Sequence, residues 1–202
     1  MTEDNTISYF YYEASTGKLM QTGACLPQDI DLQTPPTETW TKGIGTASLF
    51  DDYFSLVDQV IKTYPAKPSK YHEFDYQSEA WYATTLGLDA AKADKKAEID
   101  TWRADQEVLP ILFREALFDA DAKAQANISA WLNVINAGAD LPVGFVWRDF
   151  NNEDHTADAQ FVRELATALT MRGTALYAAA WAHKATVDGF NTLADVLSYQ
   201  VS

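Results

Sequence analysis

The pattern of apolar and polar positions changes character near residue 84. Before it, short runs of aromatic and β-branched residues alternate with compact polar breaks. After it, apolar residues recur every three or four positions in a background of alanine. Three stretches of the first part share a plan: "YFYYEASTGKLMQ" (9–21), "DYFSLVDQVIKTY" (52–64) and "YHEFDYQSEAWYA" (71–83). Each predicts a short β-hairpin, with strand-forming residues on both sides of a polar turn. Ser15-Thr16-Gly17 is the clearest turn, because Gly17 can take the positive φ that such turns need. Tyr9 and Tyr11 alternate with Phe10 and Tyr12, so these rings face both sides of one strand. A surface built to grip a ligand would gather them on one side.

"LPQDIDLQTPPTETW" and "YPAKPSKY" separate the hairpins and hold five of the seven prolines. Pro35-Pro36 and Pro65/Pro68 predict extended connectors and disfavour helix. Stiff segments of this kind either cross between strands or lie against a neighbouring chain, where little entropy remains to be lost.

The second part predicts helices. Residues 88–108 have high helix propensity with few apolar anchors beyond Ile99 and Trp102, the pattern of a spacer or of a helix that packs on another copy. Pro110 interrupts the pattern. A helix over 120–136, with Asp119 as its expected N-cap and Gly138 as its stop, aligns Ile128, Trp131, Leu132 and Ile135. Over 144–156, Phe145 and Trp147 alternate with Val146 and Arg148, and Asn151-Asn152 signals a turn, so a hairpin is inserted between helices. Thr156 or Asp158 caps a long helix over 157–187, Gly189 breaks it, and 191–199 forms a short last helix. The expected fold class is α+β: a β-hairpin module over 1–84, then a helical domain over 85–202.

Net charge is −14, spread over both parts, which disfavours nucleic acid and anionic lipid as partners. The chain is 47% hydrophobic, yet charges interrupt its apolar runs before they reach membrane-spanning length. "MTEDNTIS" lacks the basic start and apolar run of a secretory signal, so synthesis in a cytoplasm is expected. Cys25 is the only cysteine and reads as a plain thiol.

Candidate chemistry is sparse. His72, His155 and His183 show no metal-site spacing. His155 lies among Glu153, Asp154 and Asp158, which reads as an acidic turn before it reads as a cation site. "DADAKAQAN" (119–127) starts like a calcium loop but lacks the sixth-position glycine and twelfth-position glutamate. Arg172 and His183 share the apolar stripe of the long helix, where a rim-reaching arginine and a carbonyl-bound histidine are the ordinary expectations. Neither a phosphate-cradling glycine loop nor a nucleophile elbow is found.

"FDADAKAQANISAWL" (118–132), then "VWRDFNNEDHTADAQFVRELATAL" (146–169) and a long alanine-rich helix, resemble an uncharacterised family of C-terminal domains in bacteriophage tail proteins. The likeness covers about residues 94–199. "YHEFDYQSEAWY" (71–82) and "YYEASTGKLMQTGACLP" look like N-terminal modules of tail-fibre and tail-fibre-assembly proteins. The resemblance implies a non-enzymatic virion tail component that touches a tail-fibre or baseplate protein in several symmetric copies, or alternatively a fibre-assembly chaperone. It transfers no catalytic, metal or cofactor residues. It implies that Phe118, Asp119, Ile128, Trp147 and Thr156 determine the fold. Trp40, Trp81, Pro35, Pro36, Tyr64, Pro65 and Pro68 are the expected protein-contact residues, since aromatics beside stiff backbone make good anchors. A small enzyme using His155 or His183 with nearby carboxylates is the reading from another class.

Overall fold

The computed structural model describes residues 5–202 and has the α+β fold. Its contacts divide it into two compact units, one ending at Gly87 and one running from Leu88 to Ser202. The division falls three residues beyond the expected one, inside the first turn of a helix.

The first unit opens with β1 (Ile7–Glu13) between β2 (Leu19–Cys25) and β3 (Trp40–Ile44), all antiparallel. Tyr9, Phe10 and Tyr11 are all buried, so both faces of this strand are covered. The Tyr9 hydroxyl donates to Gln33 Oε1 at 3.1 Å. Two further hairpins follow: β4 (Asp52–Ser55) with β5 (Val60–Thr63), and β6 (His72–Asp75) with β7 (Ala80–Ala83). Two corrections arise between β2 and β4. Pro27–Leu32 form a 3-10 turn in the segment expected to be extended, because proline suits the first helical position. The expected connector residue Trp40 begins strand β3.

The three hairpins share a turn that the sequence only partly discloses. Gly17, Gln59 and Glu79 all have positive φ, at 85°, 58° and 53°. Four positions earlier stand Glu13, Ser55 and Asp75, and each accepts a hydrogen bond from the turn. Thr16 Oγ1 donates to Glu13 (2.6 Å), the Asp58 amide to Ser55 (3.0 Å) and the Gln77 amide to Asp75 (3.0 Å). An aromatic ring, Tyr12, Phe54 or Phe74, precedes each acceptor. These rings join the hairpins. Tyr12 stacks on Phe54 at 4.3 Å, and Tyr53 meets Phe74 at 4.9 Å. The Phe54 amide donates to the Gly17 carbonyl at 2.9 Å. A hairpin alone buries too little to persist in water, so the ring contacts supply what each one lacks.

The second unit contains α1 (Thr85–Val108, all but its first turn), the hairpin β8 (Ile111–Phe113)–β9 (Ala116–Phe118), α2 (Ala122–Asn136), the hairpin β10 (Val146–Arg148)–β11 (Asp154–Thr156), α3 (Ala159–Gly189) and α4 (Leu193–Ser198). The β8–β9 hairpin is an addition to the expected elements. Its two-residue turn places Arg114 and Glu115 at φ of 47° and 69°, a turn usually announced by Asn-Gly. Asp121, not Asp119, caps α2, accepting from the Ala124 amide at 2.7 Å. Of the two cap candidates for α3, Asp158 does the work, accepting from the Phe161 amide at 2.7 Å. Asp119 and Thr156 are exposed, whereas Phe118 and Ile128 join Phe161 and Leu165 in one core, with Trp147 half-buried against it.

The spacer reading of 88–108 is overturned. Ile99 is fully buried with Ala180 and Val187 in a second core, flanked by Trp102 and Tyr199. Helices α1 and α3 run antiparallel, and polar contacts mark the seam. Lys96 pairs with Asp188, Lys184 with Asp100 at 2.6 Å, and the Arg103 guanidinium lies 4.2 Å from the Tyr177 ring centroid. Long lysine stems complete a burial surface that a count of apolar residues misses.

Candidate functional site

The predicted contact residues separate into two groups. Tyr64 and Pro65, on the connector after β5, come together with Trp81 of the third hairpin. The Trp81 indole N–H donates to the Pro65 carbonyl at 2.7 Å. The Tyr64 and Phe74 rings lie 6.0 and 5.2 Å from the indole, and the Lys67 ammonium lies 5.2 Å from its centroid. Pro68 is exposed on the same connector. Pro35 is half-buried and Pro36 exposed in a different connector, and Trp40 packs near Tyr11 at 6.4 Å. Among the described residues no ring or hydrogen-bond contact joins Trp40 to Trp81.

The Trp81 shelf is rigid for a reason the sequence does not reveal. Beneath it, Tyr64 and Tyr76 share a hydrogen bond at 2.8 Å. Burial, and then that bond, push the Tyr64 phenol well above its ordinary range. Between the second and third hairpins, Lys62 donates to Glu79 at 2.5 Å and also pairs with Asp58. The Lys62 contact and the nearby Ser55 and Tyr53 hydroxyls hold the Glu79 carboxyl below the usual range, although one of its oxygens, Oε1, is buried without a well-formed hydrogen bond. Lys62 is held above its ordinary value by hydrogen bonds to Asp58 and Glu79. The sequence carries no local signal for this node, since Lys62 lies in strand β5 and Glu79 in the turn before β7.

Strands β4 to β7 form two-stranded sheets, so each has one unpaired edge within its sheet. Such edges are templates for an added strand. Apolar residues stand out on this unit: Phe50 is 91% exposed and Val57 74%.

The residues weighed for chemistry have structural tasks. Asp149 is buried, and its Oδ1 accepts from the Asn151 and Glu153 amides, both at 2.9 Å. Its Oδ2 lies 2.9 Å from His155 Nε2. These bonds, His155 foremost, hold the Asp149 carboxyl below its ordinary range. Asp149, Glu153 and His155 bring possible ligand atoms within 4.8 Å of one another, but the Asp149 oxygens already close the β10–β11 turn. His183 hydrogen-bonds Tyr199 at 2.6 Å and approaches the Ser202 carbonyl at 3.3 Å, which ties down the C-terminal segment. Arg172 donates to the Leu109 and Glu107 carbonyls at 2.6 and 2.5 Å. It thereby satisfies carbonyls left open where α1 ends and complements that end's negative dipole. His72 pairs with Ser69 at 2.8 Å. No helix among the described residues is long and apolar enough to cross a membrane.

The fold is thus a two-unit α+β protein with a hairpin ladder ahead of a helical domain. Residues 90–200 match the domain of unknown function DUF4376, and the chain belongs to that family. No curated protein and no solved structure matches it.

Proposed function

We propose that this protein is a non-enzymatic component of a bacteriophage tail that docks on a tail-fibre or baseplate protein through its hairpin unit. The observation that carries the reading is the Trp81 shelf. An indole held by the Pro65 carbonyl, flanked by Tyr64 and crossed by Lys67, stands beside the open edges of short strands. Preorganised aromatics lose little entropy on binding, and an edge supplies main-chain hydrogen bonds to a partner strand. The sequence likeness to tail proteins supports a partner of that class. Several copies in a symmetric assembly fit the same reading.

The test is co-purification of the intact chain with the fibre or baseplate protein encoded beside it. Capture by the native chain, weakened by Trp81→Ala, is the expected result. Failure to bind either protein, or binding indifferent to that substitution, refutes the docking assignment. Mass spectrometry of purified particles then separates a resident tail component from an assembly chaperone, which leaves before maturation.

A further inference from the structure

We infer that the helical unit carries a groove for a neutral carbohydrate, independently of the docking surface proposed for the hairpin unit. The groove has a volume of about 570 Å³ and lies between the start of α2 and the β10 strand. Lys123, Asn127 and Trp131 line it at intervals of four on α2, and Phe145 and Trp147 line it from the strand side. Asp119, which caps nothing, also lines it.

Three features select the ligand. The first is the aromatic set. Trp131 and Phe145 lie 4.8 Å apart at 63°, and Phe145 and Trp147 6.2 Å apart at 69°. Both contacts are edge-to-face and Phe145 and Trp147 also pack against the core, so each half-buried ring keeps part of its surface for a ligand. The face of an aromatic ring is electron-rich, so it attracts the weakly positive C–H bonds on the flat side of a pyranose. The second is hydrogen-bonding capacity left unused. Among the described residues, neither the Trp131 nor the Trp147 indole N–H donates to a protein acceptor, and Asn127 and Asp119 make no side-chain hydrogen bond. An amide donates and accepts, a carboxylate accepts twice and an indole donates once, which is a set suited to neighbouring hydroxyls. The third is charge. Asp121 is engaged in capping α2 and Arg148 is paired with Asp154 at 2.8 Å, which leaves Asp119 and Lys123 as the uncommitted charges of the groove. One carboxylate and one ammonium nearly cancel, so neither an anion nor a cation is favoured, and a neutral, hydroxyl-rich ligand suits the remaining donors and acceptors. Aromatic walls with a few placed polar groups are the usual make-up of small-ligand sites.

The experiment applies the full-length chain to an array of neutral hexose and N-acetylhexosamine oligosaccharides. Sialylated and sulfated glycans, and acidic and basic peptides, share the slide. Retention of one or more neutral glycans is expected, followed by titration through tryptophan fluorescence. Asp119→Ala and Asn127→Ala remove exposed side chains that hold nothing in the fold, so both variants should fold normally. Each should weaken the bound glycan by roughly tenfold, the scale of one lost hydrogen bond. No neutral glycan above background, retention of charged ligands alone, or affinity unchanged in both variants would overturn the inference.

Discussion

Gly17→Ala probes the junction between the first two hairpins, and Gly138→Ala provides its control. The two glycines have nearly the same backbone, φ of 85° and 82°. An L-residue in that region costs about 1–2 kcal/mol. Their surroundings differ. A Cβ on Gly138 would meet nothing within 4 Å, whereas one on Gly17 would lie 1.9 Å from the Phe54 carbonyl oxygen. Backbone cannot rotate away as a side chain can, so the second hairpin must shift. The shift breaks the bond from the Phe54 amide to the Gly17 carbonyl, a loss of about 0.5–1.5 kcal/mol. It also disturbs the Tyr12–Phe54 stack, worth about another 0.5–1.5 kcal/mol. The expected destabilisation is therefore about 2–5 kcal/mol for Gly17→Ala, against about 1–2 kcal/mol for Gly138→Ala. Because the two glycines lie in different compact units, a single melting temperature is a poor measure of either change. Amide exchange read residue by residue in increasing urea reports each unit, and the Phe54 amide reports the junction itself. Equal losses in the two variants, or unchanged protection at Phe54, would refute this account of the hairpin ladder.

Ile99→Ala should destabilise the helical unit by about 2–5 kcal/mol, since it empties a fully buried site between α1 and α3; a change too small to shift the urea midpoint would restore the spacer reading. Arg172→Met keeps the aliphatic stem but removes both bonds to the end of α1, and should cost about 1–2 kcal/mol with exchange accelerated first around residues 104–110. The depressed Asp149 carboxyl contributes stability that is present above its unfolded value, about pH 4, and is lost as pH falls through the lower folded value. Urea midpoints measured from neutral to strongly acidic pH should therefore drop less steeply below about pH 4 in Asp149→Asn than in the native chain; identical slopes would remove Asp149 from the acid response.

Periodicity made the main elements legible. Alternating rings disclosed the hairpins, three-and-four spacing disclosed α2 and α3, and Gly17 and Gly138 marked turns where a positive φ is needed. The β8–β9 hairpin was hidden because Arg114-Glu115 carries none of the usual turn residues. The Asp121 cap was missed in favour of Asp119, two positions away, because two aspartates at the same boundary offer the same local chemistry. The 88–108 helix was misjudged for a different reason. Its burial comes from Ile99 and lysine stems meeting α3 far along the chain, and a local window does not see that partner.

Of the predicted contact set, Tyr64, Pro65 and Trp81 converge while Trp40 does not, and the groove among Trp131, Phe145 and Trp147 joins residues read separately as core stripe and strand. By itself the sequence determined which segments turn, extend or coil, because those preferences arise from each residue and its near neighbours. Only the tertiary structure decided which rings meet, which cation closes which helix and which polar groups stay unused. Those outcomes depend on atoms brought within a few ångströms from positions tens of residues apart.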